Sequence, residues 1–346
     1  MLNIKILTFV KVNNFGAHLQ LYALSKILKT MGHTVHVFNF KLKTKKISLP
    51  GRLAQIVSTF HFYCFRKKFL PYFTKECNTP KELANATKNS DFCIVGSDQV
   101  WNAELTKNDE HIFFFNFLPD KVKRIAYAAS FGSPEWKGTD LQTTKALLTK
   151  FTAISVREKS GAKICKEKFE LEANVVLDPT LLIESYDELK IKKHKTNELI
   201  YFKFLSNAKI EKDVKRIAEQ LKLRPVALNA NRLKKGFIYR PFPSVRGWLS
   251  SIKNAELVIT DSFHCMAFAI LFHRPFIVLP GHGKRYTRII NLLTELGIEN
   301  RFLINPDDLF TSKLWHSSIN YKNVDANLVV LRKKSIHFLE QSLKKQ

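Results

Sequence analysis

Acidic residues are scarce in this chain: 30 Asp and Glu stand against 56 Lys and Arg, a formal net charge of +26. Such an excess draws anionic partners, which as classes are nucleic acid, an anionic membrane face or a phosphorylated substrate. Glycine and proline are sparse, 12 of each, and no low-complexity tract or short-period repeat occurs, so fibrous and disordered classes are excluded. The five cysteines are scattered at 64, 77, 93, 165 and 265. An odd number cannot pair completely within one chain and none share a close metal-ligand spacing, so reduced thiols, a cytoplasmic setting and no bound metal are expected. Long hydrophobic runs are missing too: the most apolar window, Cys265 to Leu279, is broken by His273, Arg274 and Pro275. The apolar part of Met1 to Asn14 is too short and too interrupted for a secretory signal, and no small-residue cleavage site follows. No recognised nucleic-acid module or regularly spaced basic and aromatic groove is found, so nucleic acid is not expected as a partner.

What is there is globular. The 346 residues are 45% hydrophobic and 12% aromatic, enough for two domains of roughly 100 to 200 residues each. Apolar, β-rich runs alternate with helical patterns: strand at Ile4 to Val10, a turn at Gly16, helix from about His18 to Thr30, strand at Val35 to Phe40. Further strands are predicted at Phe92 to Val95, Arg124 to Ser130, Ala153 to Val156 and Val175 to Leu177, and the pattern restarts after a lysine-rich boundary near Ile183 to Asn197. The second half reads as strands at Leu199 to Phe204, Pro225 to Leu228, Leu257 to Ile259 and Phe276 to Leu279, with intervening helices. We divide the chain into residues 1–185, 186–325 and a final helix, 326–346, that packs back on the N-terminal domain. Two α/β domains of Rossmann-like type facing one another across a cleft resemble the glycosyltransferase-B architecture.

The stretch Glu256 to Phe272 organises the rest. A strand stops at Thr260, Asp261, Ser262 and His264 and a helix begins at once, which sets a carboxylate, a hydroxyl and an imidazole at a strand's carboxyl end beside unpaired helix N–H groups. That edge is where ligands bind in open α/β sheets, and it favours an anion. The other reading of the same residues is a capped helix with a surface histidine. Similar polar strand ends occur at Gly96-Ser97-Asp98-Gln99-Val100-Trp101-Asn102, where Trp101 is a sugar platform or a core anchor, and at Arg157-Glu158 and Asp178-Pro179-Thr180. The basic segment 41–69 interleaves Lys41 to Lys46 and Arg66 to Lys68 with Phe60, Phe62, Tyr63 and Phe69, a pattern suited to a lipid surface or to a solvated helix-loop-helix.

Five segments in order, Asn14 to Gln20, Gly96 to Asn102, Ser155 to Glu158, Leu177 to Thr180 and Asp261 to His264, resemble the motifs of the polysaccharide pyruvyl transferase family. The resemblance runs from Ile4 to about Phe302. It implies transfer of the pyruvyl or enolpyruvyl group of phosphoenolpyruvate to sugar hydroxyls, usually as a cyclic ketal on a bacterial surface glycan such as a capsule or exopolysaccharide. Phosphoenolpyruvate is then a co-substrate, with no separate cofactor. His264 matches the family histidine tied to donor binding and catalysis, and Arg157 the arginine tied to the donor's anionic groups. Cys265 stands where the family commonly has glycine, and Phe15 where it has tyrosine; neither change removes a charge.

On this reading the C-terminal domain is the donor side, with Arg157, Ser262, His264, Arg285 and Arg288 as ligands of the carboxylate and phosphate, and Lys284 as a substitute for one arginine. His264 handles a proton, with Asp261 or Asp98 orienting it or accepting the sugar proton. The acceptor side comprises Asn14, Gly16, Gln20, Gly96, Ser97, Asp98 and Trp101. The acceptor is expected to be lipid-linked and met at the inner face of the cell membrane. Two other classes remain open: a glycosyltransferase with a nucleotide-sugar donor, and a non-catalytic anion-binding protein.

Overall fold

The computed structural model describes residues 1–42, 52–203, 207–229, 235–281 and 286–344, with side chains in the first long insertion helix described from Ile56 onward. Arg285, Lys284 and the run Lys43 to Lys46 lie outside the described residues. The chain divides into two compact units: one holds the described residues 1–42, Arg66–Ile183 and the chain from Val329, the other the stretch ending at Phe65 and Glu184–Leu328.

Unit 1 starts with β1 (Asn3–Leu7), α1 (Phe15–Thr30) and β2 (Thr34–Phe40), a βαβ unit; α2 (Arg52–Phe69) follows. Then come β3 (Tyr72–Cys77), α3 (Pro80–Asn85), β4 (Phe92–Val95), α4 (Ala103–Thr106), β5 (Lys123–Ala129), α5 (Leu141–Leu148), β6 (Phe151–Val156), α6 (Lys159–Phe169) and β7 (Asn174–Val175). The seven strands are parallel in the order β3-β2-β1-β4-β5-β6-β7. Helices on a parallel sheet cover its faces, which is why β4 is buried at every residue and reads as an unbroken apolar run.

Helix α1 begins earlier than the sequence suggests. Asn14 is its N-cap and accepts from Ala17 N–H, so Gly16 sits in the first helical turn and not in a tight turn before it. The Asn side chain outweighs the glycine in setting the boundary. Trp101 belongs to the core: it is 1% exposed, stacks on Phe114 at 5.3 Å, touches Phe131 at 5.1 Å, and donates Nε1–H to Phe113 O at 3.1 Å. A ring so enclosed has no face left for a sugar, which corrects the platform reading.

Unit 2 contains β8 (Glu198–Phe202), α7 (Ala208–Gln220), β9 (Arg224–Leu228), β10 (Ile238–Arg240), α8 (Val245–Lys253), β11 (Leu257–Thr260), α9 (Phe263–Leu271), β12 (Phe276–Val278) and α10 (Thr287–Leu296). Its five strands are parallel in the order β10-β9-β8-β11-β12. Leu199, Tyr201, Leu257, Ile259 and Ile277 meet Val214 and Ile217 of α7 in one core. Helix α9 is buried at Phe263 through Ile270, all round, which matches its lack of a polar face. The final helix α11 runs over Tyr321–Ser342, starting before the expected Ala326, and its residues from Val329 belong to unit 1. There Ser335 Oγ accepts from Leu177 N–H at 2.9 Å and Arg332 donates to Leu181 O at 2.6 Å. The segment expected as a helix-loop-helix is, over its described part, the single helix α2, and the residues up to Phe65 group with unit 2, where His61 Nδ1 lies 3.0 Å from Phe242 O.

Candidate functional site

Each sheet reverses its strand order once, between β1 and β4 in unit 1 and between β8 and β11 in unit 2. At such a reversal the connections leave in opposite directions and the carboxyl ends of the two strands flank a crevice. Of the polar strand ends picked out in the sequence, Gly96 to Asn102 after β4 and Asp261 to His264 after β11 fall at these two places, whereas Arg157 and Asp178 follow β6 and β7.

In unit 1 the seam is tied by hydrogen bonds. Thr8, just after β1, donates Oγ1–H to Ser97 O, just after β4, at 2.9 Å. Gln20 reaches from α1 to donate to Thr8 Oγ1 at 3.0 Å and to Ala17 O at 2.9 Å. Gly96 allows this approach, since a Cβ there would stand 3.3 Å from Ile6 Cγ2 and 3.4 Å from Thr8 Cβ. Ser97 Oγ–H donates to Asp178 Oδ2 at 2.8 Å, and the same oxygen receives Arg157 Nη1–H at 2.8 Å. Asp178 Oδ1 accepts from Thr180 N–H and Oγ1–H at 3.0 and 2.7 Å.

Arg157 is the charge at the centre of this network. Its side chain is 1% exposed and also faces Asp98 at 3.5 Å and Glu158 at 3.9 Å. Burial works against its charge, but the carboxylates of Asp178, Asp98 and Glu158 outweigh that and hold its pKa above the ordinary arginine value. The fork expected to hold the donor is thus turned to carboxylates of its own unit. Asp98 stands at φ 95°, a conformation rarely adopted outside glycine, and Ala128 of β5 at φ 52° lies where the β5 register shifts. Backbone strain is thus collected beside a buried charge cluster, a combination that concentrates at functional sites.

Asn14 also anchors His18. Its carbonyl accepts from His18 Nδ1–H at 2.9 Å, and Arg66 Nη1 lies 3.1 Å from His18 Nε2. Guanidinium only donates, so Nε2 is the acceptor and the proton sits on Nδ1. Burial pushes the His18 pKa down to about 4; the Asn14 carbonyl opposes this and Arg66 adds to it. The ring is neutral at pH 7, a fixed brace between α1 and the end of α2.

In unit 2 the seam is ionic. Lys203 follows β8 and Asp261 follows β11; Nζ donates to Asp261 Oδ2 at 3.1 Å and to Pro280 O at 2.9 Å, with side chains 4% and 1% exposed. Ser262 N–H donates to Thr260 Oγ1 at 3.0 Å, and Ser262 Oγ caps α9 by accepting from Cys265 N–H at 3.4 Å. His264, in the first turn of α9, is 9% exposed, with its ring 5.3 Å from Phe263. Arg288 at the start of α10 stands with its guanidinium carbon 6.0 Å from the Phe263 ring centre. Burial pushes the Cys265 thiol up to about 12, so it is an inert packing group. The arrangement gathers a lysine, a capped helix start, an imidazole and an arginine, a set suited to holding an anion and moving a proton.

The unit 1 edge thus brings together Gln20, Gly96, Ser97, Asp98 and Arg157, and the unit 2 edge Asp261, Ser262, His264 and Arg288. Lys203 and His18 were missed in the sequence. Lys203 had a usable signal, being the first polar residue after a buried strand; His18 had none beyond its place beside Asn14. Among the described residues no group of three or more His, Cys, Asp or Glu could hold a metal ion.

These features define a two-unit, Rossmann-like α/β chain of the glycosyltransferase-B class. A family model, polysaccharide pyruvyl transferase, matches residues 14–283, and the chain belongs to that family. Similar solved structures share the fold at low identity. The UDP-GlcNAc 2-epimerase of Neisseria meningitidis bound to UDP-GlcNAc is 10% identical with a TM-score of 0.59, covering 99% of this chain and 100% of that one. A glycosyltransferase of Rickettsia africae is 10% identical with a TM-score of 0.58, covering 100% and 99%. A search among proteins of curated function finds no match.

Two stability measurements check this geometry. Lys203→Met leaves the Asp261 carboxylate buried without its lysine and is expected to lower the unfolding free energy by about 3 kcal/mol or more in urea denaturation. Adding Asp261→Leu should recover most of it; a loss that the double variant deepens contradicts the pairing. For His18, the unfolded ring binds its proton near 6.5 and the folded ring near 4. Between those values the unfolded chain holds the extra proton, so stability falls as pH drops from about 6.5 to about 4, by at most roughly 3 kcal/mol. His18→Gln should flatten that part of the pH profile; an unaltered slope assigns it to other groups.

Proposed function

We propose that this protein transfers the pyruvyl group of phosphoenolpyruvate onto sugar hydroxyls of a bacterial surface polysaccharide or its lipid-linked precursor. The observation that carries the reading is the unit 2 seam: Lys203 buried against Asp261 beside the Ser262-capped start of α9, with His264 in its first turn. The donor bears a carboxylate and a phosphate. Helix N–H groups and fixed cations suit both, and here the α9 start and Arg288 supply them, while Lys203 holds Asp261 in place beside them. Arg285, as a cation close in sequence, belongs to the same proposal. Arg157 acts instead as a positioning residue that holds Asp98 and Asp178, and Asn14, Gly16, Gln20, Gly96, Ser97 and Asp98 form the acceptor side.

The chemistry balances as two additions and one loss. His264 delivers a proton to the donor's methylene carbon while a sugar hydroxyl attacks the adjacent carbon and gives its own proton to the Asp261 carboxylate. A second hydroxyl of the same sugar then displaces phosphate from that carbon, closing the ketal, and its proton leaves with the phosphate. The product gains the mass of pyruvic acid less one water. No resident cofactor is required.

The direct test incubates the protein with phosphoenolpyruvate and a panel of synthetic or lipid-linked saccharides in D2O. Phosphate release, that mass gain and one deuterium in the new methyl group are expected. His264→Ala should lower turnover by roughly 100-fold or more with an unchanged melting temperature; near-normal turnover would leave His264 as a helix-start residue. The solved structure with bound UDP-GlcNAc favours a second reading, a nucleotide-sugar transferase. Thermal stabilisation by a nucleotide sugar and not by phosphoenolpyruvate would support it.

A further inference from the structure

Helix α2, Arg52–Phe69, contains no acidic residue and closes on Arg66, Lys67 and Lys68. Phe62 and Phe65 are 2% and 4% exposed and define its inward face. With about 100° between successive residues, Ile56, Phe60, Tyr63 and Lys67 fall in one row along the opposite face. Ile56, Phe60 and Tyr63 are 62%, 61% and 52% exposed, and Val57 beside them is 47% exposed. Lys67 and Lys68 at the end of the row are exposed as well. Arg66 points elsewhere, to His18 and to Val10 O at 3.4 Å.

A row of isoleucine and two aromatics in water, ending in lysines, needs an apolar partner that is also anionic. A second copy of this chain fits poorly, because it would set lysines against lysines and one charge of +26 against another. A lipid leaflet fits on both counts: acyl chains and the headgroup boundary take the rings, and headgroup phosphates take the ammonium groups. We propose that α2 lies on an anionic membrane surface, with the Ile56, Phe60 and Tyr63 row entering the headgroup boundary and Lys67 and Lys68 on the phosphates. This inference stands apart from the reaction proposed above. Among the described residues no helix is long and apolar enough to cross a membrane, so α2 would act by lying in the interface.

The experiment is sedimentation of the full chain with vesicles of phosphatidylcholine alone or mixed with phosphatidylglycerol, at low and high salt. The protein should pellet with the anionic vesicles at low salt and stay in solution with neutral ones, with high salt weakening the partition. Phe60→Ser/Tyr63→Ser and Lys67→Glu/Lys68→Glu should each weaken it roughly tenfold or more with an unchanged melting temperature. If a pair melts early, Phe60→Ser and Lys67→Gln alone replace it, each with a smaller but measurable loss. Three outcomes overturn the proposal. One is the parent protein remaining in the supernatant; another is normally folded variants binding as well as the parent, which assigns binding to charge elsewhere; the third is Phe60→Ser/Tyr63→Ser converting a dimer to a monomer without changing lipid binding, which makes the face a self-association surface.

Discussion

A parallel sheet whose strand order reverses cannot be sealed by backbone pairing beyond its last ladder bond, because the chain leaves the two central strands in opposite directions. Whatever closes that seam must come from side chains, and both units close it with buried polar groups. In unit 1 Thr8 bonds Ser97 across β1 and β4; in unit 2 Lys203 meets Asp261 across β8 and β11. A neutral bond suffices in the first because Arg157 and Asp178 carry the charge one step away. In the second the ion pair itself is the closure. A buried pair of this kind adds little net stability over an apolar one, so its place at the strand-order reversal is better explained by the field it sets up.

The unit 1 network spreads one arginine over carboxylates from three strand ends, after β4, β6 and β7. Each of these segments can move only if it leaves Arg157 short of a partner, so the edge is held stiff. Stiffness suits a residue such as Asp98 at φ 95°, whose carboxylate accepts from Gln99 N–H at 2.8 Å and so supports a conformation that side chains rarely adopt. The Arg157 guanidinium, which its sequence motif would give to a donor, is in this structure engaged by carboxylates of its own unit.

Alternation of apolar runs and polar stops exposes most of the strands in the sequence, because a parallel strand buried on both faces has no polar residues to confuse its reading. The strands that escaped notice are β3 and β10, both at sheet edges. Edge strands are half in solvent, as Tyr72 at 84% exposure shows, and their composition resembles that of a loop. The site was legible where a motif was dense, as at Asp261 to His264, and illegible where a single residue arrives from another strand. Lys203 is one of 56 basic residues; its place just after a buried strand sets it apart, but only the strand order puts it beside Asp261. Trp101 misled in the opposite sense, because a motif position fixes where a residue starts and not which way its side chain turns.

The excess of positive charge has a similar lesson. The deeply buried cations have local partners: Arg157 and Lys203 face carboxylates, Arg124 donates to Leu118 O, and Arg301 donates to the carbonyls of Leu314, Ser317 and Ser318. Desolvation demands this of any charge taken from water. Among the described residues the excess of positive charge therefore resides mainly on groups in contact with solvent, where it acts through a field that salt screens over about 10 Å. Such a field concentrates anions near the protein without choosing among them. Choice requires fixed geometry, and two places carry it: the unit 2 strand end at Asp261 to His264, where the capped start of α9 suits a small anion, and the row on α2, whose apolar rings and lysines together suit a surface more than a small solute.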